Sequence, residues 1–161
     1  MPAKPKLALT VQYAERSIAD IVTRPLLRRW VQAALMAPAE LTLRFVDTDE
    51  ARILNRDYRG RDYATNVLTF AYDEDDSHDK DHTGRNNEAT RADLVFCSAV
   101  LIEEAQAQQK PLIAHAAHLV IHGVLHAQGY DHENDTDATE METLETSILA
   151  GLGWPDPYLV R

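Results

Sequence analysis

The sequence predicts an α+β fold in which a small four-stranded mixed sheet packs with about five helices. The 161 residues, 45% hydrophobic and 26% charged, have the size and composition of one globular domain over residues 1–161. Four short segments have strand patterns and five longer ones have helical periodicity. The last three helices follow one another without a strand between them, an order that favours α+β over a regular βα alternation.

The first 72 residues contain three predicted strands and two predicted helices. Alternating apolar and polar residues predict strands at residues 7–11, 41–46 and 67–72. Residues 17–36 have helical spacing, and a break or restart is expected at Pro25 because proline disrupts a helix interior. Residues 47–58 predict a short helix that is opened by an Asp or Thr cap.

An acidic segment, residues 73–90, separates the third strand from the fourth, which ends at residues 94–97. The segment carries seven carboxylates against Lys80 and Arg85 and has almost no apolar residues. We therefore expect a solvated, mobile loop. Helical patterns then cover residues 98–109, 111–128 and 137–152.

The formal net charge of -10 comes from 16 basic and 26 acidic residues, and taken alone it argues against a polyanionic partner such as RNA. The acidity is concentrated, because residues 73–90 carry -5 and residues 131–145 carry -7. The rest of the chain therefore sums to +2. The net charge does not exclude a basic surface that binds RNA.

The cysteine and hydropathy patterns predict a soluble, cytoplasmic protein that does not contact a membrane. The single cysteine, Cys97, allows no internal disulfide, and a chain of this size without one fits a reducing cytosol. The apolar stretch near the N-terminus is too short for a signal peptide. No run approaches the roughly 18 apolar residues that a membrane helix needs.

Five of the seven histidines lie between residues 115 and 132, and four of them fall on one predicted helix. At about 100° per residue, these four form a stripe that covers an arc of about 80°. The other residues of that helix are apolar or small, so we predict a central buried helix whose stripe faces a cleft. The stripe consists of His115, His118, His122 and His126.

A metal site is predicted on this helix and the loop that follows it. His122 and His126 lie one turn apart and can direct both rings at one ion. Gly129 can adopt the left-handed conformation that ends a helix, which would bring His132 back to the same point. Three imidazoles leave one open position on a tetrahedral ion, as in catalytic zinc sites, although nickel and copper also accept these donors.

The spacing His122-x-x-x-His126-x-x-Gly129-x-x-His132 matches the metzincin peptidase pattern except at one position. In those peptidases a glutamate after the first histidine is the general base. Here Gly123 stands in its place and cannot transfer a proton. The sequence therefore indicates a hydrolytic metal site and argues against a peptidase.

The chain resembles the YbeY family of bacterial endoribonucleases, the ribosomal RNA maturation factors, in its histidine segment, HLVIHGVLHAQGYDH at residues 118–132. Three more regions are similar to family motifs. They are LNRDYRGRD at residues 54–62 with TNVLTF at 65–70, ADLVFC at 92–97, and the closing helix from Met141 to Gly153. The similarity runs from about residue 7 to residue 153.

The resemblance implies one Zn²⁺ per chain, held by His122, His126 and His132. It also implies a metal-dependent, single-strand-specific endoribonuclease that matures the 3′ end of 16S ribosomal RNA and takes part in ribosome quality control. The expected partners are ribosomal RNA, the small ribosomal subunit and ribosomal proteins or assembly factors, but not DNA. Arg59 matches the family's functional arginine, so the resemblance implies a catalytic role for it.

The roles of several other residues stay open at the level of sequence. Arg59 can grip a phosphate bidentately, and Arg56 and Arg61 are predicted contacts to the RNA backbone. Asp131 could orient an imidazole, and His118 could shuttle a proton or bind phosphate. The general base is unassigned, and attack by the RNA 2′-hydroxyl is an open alternative.

Two other functions are kept as alternatives. The first is a metallohydrolase of another class, such as a metzincin-like peptidase without its glutamate base. The second is a non-catalytic ribosome-assembly factor whose metal is only structural. Chelator-sensitive proteolysis with RNA left intact would favour the first, and binding to ribosomal subunits without RNA cleavage would favour the second.

Overall fold

The computed structural model describes residues 4–72, 90–130 and 134–158. Within these ranges the predicted α+β fold with a four-stranded sheet and five helices is confirmed. The elements are β1 (Leu7–Tyr13), α1 (Arg24–Ala34), β2 (Ala39–Val46), α2 (Thr48–Arg59), β3 (Val67–Ala71), β4 (Thr90–Cys97), α3 (Ser98–Ala107), α4 (Leu112–Ala127) and α5 (Asp135–Gly151). The acidic loop predicted at residues 73–90 lies outside the described residues except for Thr90, which begins β4.

The sheet is mixed, as predicted, with the strand order β1-β2-β4-β3. β2 pairs in parallel with β1 on one side and β4 on the other, and β3 runs antiparallel to β4 at one edge. The register places Phe45 opposite both Tyr13 and Phe96, and the ring centroids are 5.5 Å and 5.1 Å apart. Stacked aromatic neighbours of this kind stabilise a sheet across its strands.

The segment predicted as one interrupted helix, residues 17–36, is helical only from Arg24. Thr23 is the N-cap, accepting a hydrogen bond from a backbone N–H of the first turn, and Pro25 lies in that turn. The restart predicted at Pro25 is therefore confirmed, since proline fits the start of a helix but not its interior. The preceding stretch is wrongly predicted as helix, because Ile18 and Val22 are buried in turns instead, and Ile21 between them is exposed.

The predicted central, buried helix is α4. It packs against α1, α3, α5, β3 and β4, and ten of its sixteen residues are buried. A helix enclosed by this many elements has little surface left for polar side chains, which explains why they are confined to one stripe. None of the helices in the described ranges is long and apolar enough to cross a membrane.

The close approach of α4 to the sheet depends on Gly123. A Cβ atom at this position would lie 2.7 Å from Leu94 Cδ2 and 3.5 Å from Val67 Cγ2. Leu94 is fully buried in the core, so it has little freedom to move aside. The Cβ atom of the glutamate that metzincins carry at this position would therefore force the Leu94 side chain to shift.

We expect Gly123→Ala to lower the free energy of unfolding by up to about 2 kcal/mol, because overpacking costs about 1–3 kcal/mol and the roughly 1 kcal/mol gained in helix propensity offsets only part of it. Gly151 in α5 is the matched control, since a Cβ there would meet no atom within 4 Å. Because Gly151 is the last residue of α5, Gly151→Ala should gain at most part of the roughly 0.5–1 kcal/mol that alanine gains in a helix interior. Urea denaturation measures both changes, and a stabilised Gly123→Ala protein would show that the space exists.

Candidate metal centre

The histidine stripe of α4 runs from the protein interior to its surface. The exposed fraction of the side chain is 3% at His115, 14% at His118 and 25% at His122, and His126 is exposed. The first three line a cleft of about 560 Å³. The predicted cleft is therefore present. Of the two ligands predicted on α4, His122 lines the cleft, and His126 lies beyond it at the exposed end of the stripe.

A buried carboxylate on α5 contacts two of these histidines. Glu145 Oε2 accepts a hydrogen bond from His122 Nδ1 at 2.6 Å. Its Oε1 accepts one from His118 Nε2 at 2.9 Å and another from the Tyr158 hydroxyl. Burial alone would raise the pKa of Glu145, but the hydrogen bonds from His118, His122 and Tyr158 outweigh burial and hold that pKa at about 2. Glu145 is therefore an ionised carboxylate, which can only accept hydrogen bonds.

Hydrogen bonds determine which ring nitrogen carries the proton in both ligands predicted on α4. His122 Nδ1 donates to Glu145, and His126 Nδ1 donates to the backbone carbonyl of Tyr130 at 3.0 Å. A neutral imidazole protonated at Nδ1 has its lone pair on Nε2. Nε2 is therefore the nitrogen that suits a metal ion in both residues. Metal-binding histidines usually donate their other N–H to a carboxylate or carbonyl in this way.

The chain reverses directly after α4, as Gly129 predicts. Gly129 has a φ of 104°, and its N–H bonds to the carbonyl of His126 at 3.0 Å. The N–H of Tyr130 bonds to the carbonyl of Leu125 at 3.1 Å. This pair of bonds is the Schellman motif, which ends a helix at a left-handed glycine. This turn ends α4 three residues before His132, the predicted third ligand, which lies outside the described residues.

Two predicted site residues lie outside the described part of the chain: Asp131 and His132. The roles assigned to them stay predictions. Within the described ranges, no group of three His, Cys, Asp or Glu side chains could hold a metal ion. That result is compatible with a site whose third ligand comes from the segment after Gly129.

His118, for which proton transfer and phosphate binding were both open, contacts the same carboxylate as His122. Its Nε2 is 2.9 Å from Glu145 Oε1 and 3.2 Å from the Tyr158 hydroxyl. Its Nδ1 is buried and has no hydrogen-bond partner among the described residues. These contacts place His118 beside the predicted metal site, and its chemical role stays a prediction.

His115, at the buried end of the stripe, forms a separate contact. Its Nε2 is 2.8 Å from Glu104 Oε1, which also accepts a hydrogen bond from Asn66 Nδ2 at 3.1 Å. Burial lowers the pKa of His115, although the hydrogen bond to Glu104 raises it in part. The contact joins α4 to α3 and to the start of β3, so His115 supports the wall of the cleft.

The predicted RNA-binding arginines lie at the end of α2 and in the turn after it. α2 ends at Arg59, and Gly60 takes a φ of 72° to turn the chain. Arg56 pairs with its neighbour Asp57 at 3.3 Å, while Arg59 and Arg61 are exposed. No arginine is among the described residues that line the cleft. The structure therefore leaves the phosphate-binding role of Arg59 a prediction.

The turn after Arg59 is held by a buried amide. Asn55, which is 1% exposed, donates from Nδ2 to the backbone carbonyl of Tyr63 at 2.8 Å. The chain then continues to Asn66, which lines the cleft. The short segment from Arg59 to Asn66 thus connects Arg59 to the wall of the cleft.

Two residues of the site are absent from the sequence-based candidates: Glu145 and Tyr158. A signal for Glu145 exists, because it lies four residues after Met141 and four before Leu149, both of which are buried on α5. A carboxylate within an apolar stripe needs a buried partner. Tyr158 follows the last predicted helix, and no periodic pattern in the sequence points to it.

Comparison with known proteins gives consistent matches over nearly the whole chain. The sequence profile of the family described as "Endoribonuclease YbeY" matches residues 8–153. A protein named "Endoribonuclease YbeY" from Herminiimonas arsenicoxydans is 62% identical over 154 residues, 96% of each chain. Another from Janthinobacterium sp. (strain Marseille) is 58% identical over 159 residues, 99% of each chain. The solution structure of a Thermotoga maritima protein, 20% identical, covers 94% of this chain and 99% of its own with a TM-score of 0.52, which is a likeness of fold alone.

Proposed function

The chain belongs to the YbeY family of endoribonucleases, and from that premise we propose that it is a zinc-dependent, single-strand-specific endoribonuclease. We further propose that it matures the 3′ end of 16S ribosomal RNA and takes part in ribosome quality control. Its partners would be ribosomal RNA and the small ribosomal subunit in the cytoplasm. The relatives' shared name supports the RNA-cleaving activity, and the donor chemistry of α4 supports the metal.

The observation that supports the metal dependence is the contact that each of His122 and His126 makes through Nδ1. Each ring donates from Nδ1, to Glu145 and to the Tyr130 carbonyl, so that both have the Nε2 lone pair that a zinc ion requires. A pair of surface histidines without such partners would have no fixed tautomer. The donor set therefore fits zinc, with His132 as the proposed third ligand.

The proposed chemistry divides between the metal ion and the chain. When bound, zinc supplies Lewis-acid chemistry, since it acidifies coordinated water toward a pKa of about 7 and polarises a phosphoryl oxygen. His122, His126 and His132 would hold the ion. Arg59 would bind the scissile phosphate through two parallel N–H groups and offset the charge that develops there. The cleft beside His122 would hold the flanking nucleotides.

The packing around Gly123 leaves the peptidase alternative without the glutamate base that metzincins use. A glutamate base at this position would need space that Leu94 and Val67 already fill. Glu145 cannot replace that base, because it is fully buried and contacts His122 at Nδ1, the nitrogen opposite the proposed metal-binding one.

Removal of the metal is the direct test of the proposed function. We expect purified protein to contain about one zinc ion per chain, to cleave a defined single-stranded RNA, to lose cleavage when a chelator strips the metal, and to regain it with added zinc. The same RNA annealed to its complement should resist cleavage. An unfolded protein substrate should stay intact under the same conditions.

Two outcomes would reverse this proposal. Chelator-sensitive proteolysis with intact RNA would favour the peptidase alternative. Binding of the zinc-loaded protein to small ribosomal subunits without RNA cleavage at any protein concentration would favour a non-catalytic assembly factor. His126→Ala protein purified in parallel controls for contaminating nucleases.

A further inference from the structure

We propose that Glu145 is a positioning residue of the metal centre, whose carboxylate holds His122 in the Nδ1–H form and directs its Nε2 toward the zinc ion. This inference rests on the proposed function of the same site. It assigns a role to a residue on α5, an element that contributes none of the proposed ligands.

The burial of Glu145 is the first argument. Among the carboxylates in the described residues, Glu145 alone is classed as buried, with an exposed fraction of 0%. Its neighbours one turn away on α5, Met141 and Leu149, are buried apolar residues. An apolar side chain would suit this position if packing were its only role, because a buried ion destabilises the fold unless it is well partnered. The carboxylate therefore indicates a role in the site.

The second argument is that the two carboxylate oxygens of Glu145 contact different partners. Oε2 contacts His122 Nδ1 at 2.6 Å. Oε1 contacts His118 Nε2 at 2.9 Å and the Tyr158 hydroxyl. A carboxylate oxygen at this distance accepts a proton from Nδ1, and in the neutral His122 ring the lone pair then lies on Nε2. Glu145 thus excludes the His122 tautomer that could not bind a metal through Nε2.

Substitution by glutamine tests this role without changing the side-chain volume. A glutamine has one accepting oxygen and one donating NH₂ group, so it cannot accept from both His122 and His118. We expect Glu145→Gln to weaken zinc binding by about 10- to 100-fold, the usual effect of losing such a partner. Competition with a chelator of known affinity measures this change without relying on RNA cleavage.

Glu142→Gln is the matched control. Glu142 is exposed and lies three residues before Glu145 on the same helix, so its substitution removes the same charge from α5. Its zinc affinity should stay within about twofold of the wild-type value, since surface changes away from a site have small effects. Nitrogen-15 NMR of the imidazoles supplies a second measurement. The wild-type, metal-free protein should show His122 protonated at Nδ1, and Glu145→Gln should show a loss or mixture of that tautomer.

The possible outcomes separate this inference from the proposed function. Equal zinc affinity of wild type and Glu145→Gln, or His122 protonated at Nε2 in the metal-free wild type, would overturn the role of Glu145. No zinc binding by the wild type would overturn the proposed function itself. If Glu145→Gln fails to fold, the tautomer of His122 in the wild type decides the inference alone.

Discussion

Replacing His126 with alanine should remove zinc binding and reduce cleavage of single-stranded RNA by at least about 100-fold, because even the outer partners of metal ligands are worth about 10- to 100-fold. His126 is the better ligand to test, since its side chain is exposed and its removal costs one hydrogen bond, to the Tyr130 carbonyl, worth about 1 kcal/mol. His122→Ala would also deprive buried Glu145 of a partner, and its effect on activity would be mixed with a loss of stability.

Three measurements are needed on the same preparation of His126→Ala: zinc content by elemental analysis, thermal unfolding, and cleavage of a labelled single-stranded RNA. His78→Ala is the matched control, because it removes a histidine that belongs to the acidic segment rather than to the stripe. We expect the control to bind zinc and cleave RNA as the wild type does. Wild-type zinc content and cleavage in His126→Ala would contradict the metal centre.

Arg59→Ala should lower RNA cleavage by about 10²- to 10³-fold, the usual effect of removing one group that stabilises transition-state charge. The fold and zinc binding should persist, because Arg59 is exposed at the last turn of α2 and its interaction with the helix dipole is worth only about 0.3–1 kcal/mol. Arg59→Lys should recover part of the activity, since lysine keeps the charge but cannot form the bidentate contact.

Arg52→Ala provides the control for the arginine experiment. Arg52 lies on the same helix and pairs with Asp62 at 2.7 Å, so its removal changes the charge of α2 by the same amount. Its cleavage rate should stay within about twofold of wild type, as expected for an exposed ion pair of little energetic weight. Equal rates for Arg59→Ala and Arg52→Ala would show that Arg59 has no special part in the reaction.

The sequence predicts those helices and strands whose apolar residues repeat with the period of the element and lie on one buried face. The periodicity of α4 and the alternation in β2 each reflect a single buried face, so their positions follow from sequence. β4 begins at Thr90, one residue earlier than the predicted end of the acidic segment implies, and Asp93 within it accepts a hydrogen bond from the Tyr72 hydroxyl on the neighbouring chain segment. The helix predicted at residues 17–22 is wrong. Apolar residues at helical spacing are buried there in turns instead of on one face of a helix.

In the candidate site, contacts between residues close in sequence are predictable, and contacts between distant segments are not. His122 and His126 are separated by one helical turn, so their spacing alone brings them together. Glu145 reaches His122 across 23 positions of sequence, and no local pattern encodes which helix face meets α4. Long-range pairing of this kind becomes visible only when the packing of α4 against α5 is known.

X-ray absorption at the zinc edge of the zinc-loaded protein tests the central claim most directly, namely that the imidazoles of α4 and its return loop hold the metal. We expect nitrogen donors at about 2.0–2.1 Å with imidazole scattering, and fewer imidazoles or no bound zinc in His126→Ala. A thiolate sulfur at about 2.3 Å, which only Cys97 could supply, or an oxygen-only shell would contradict it.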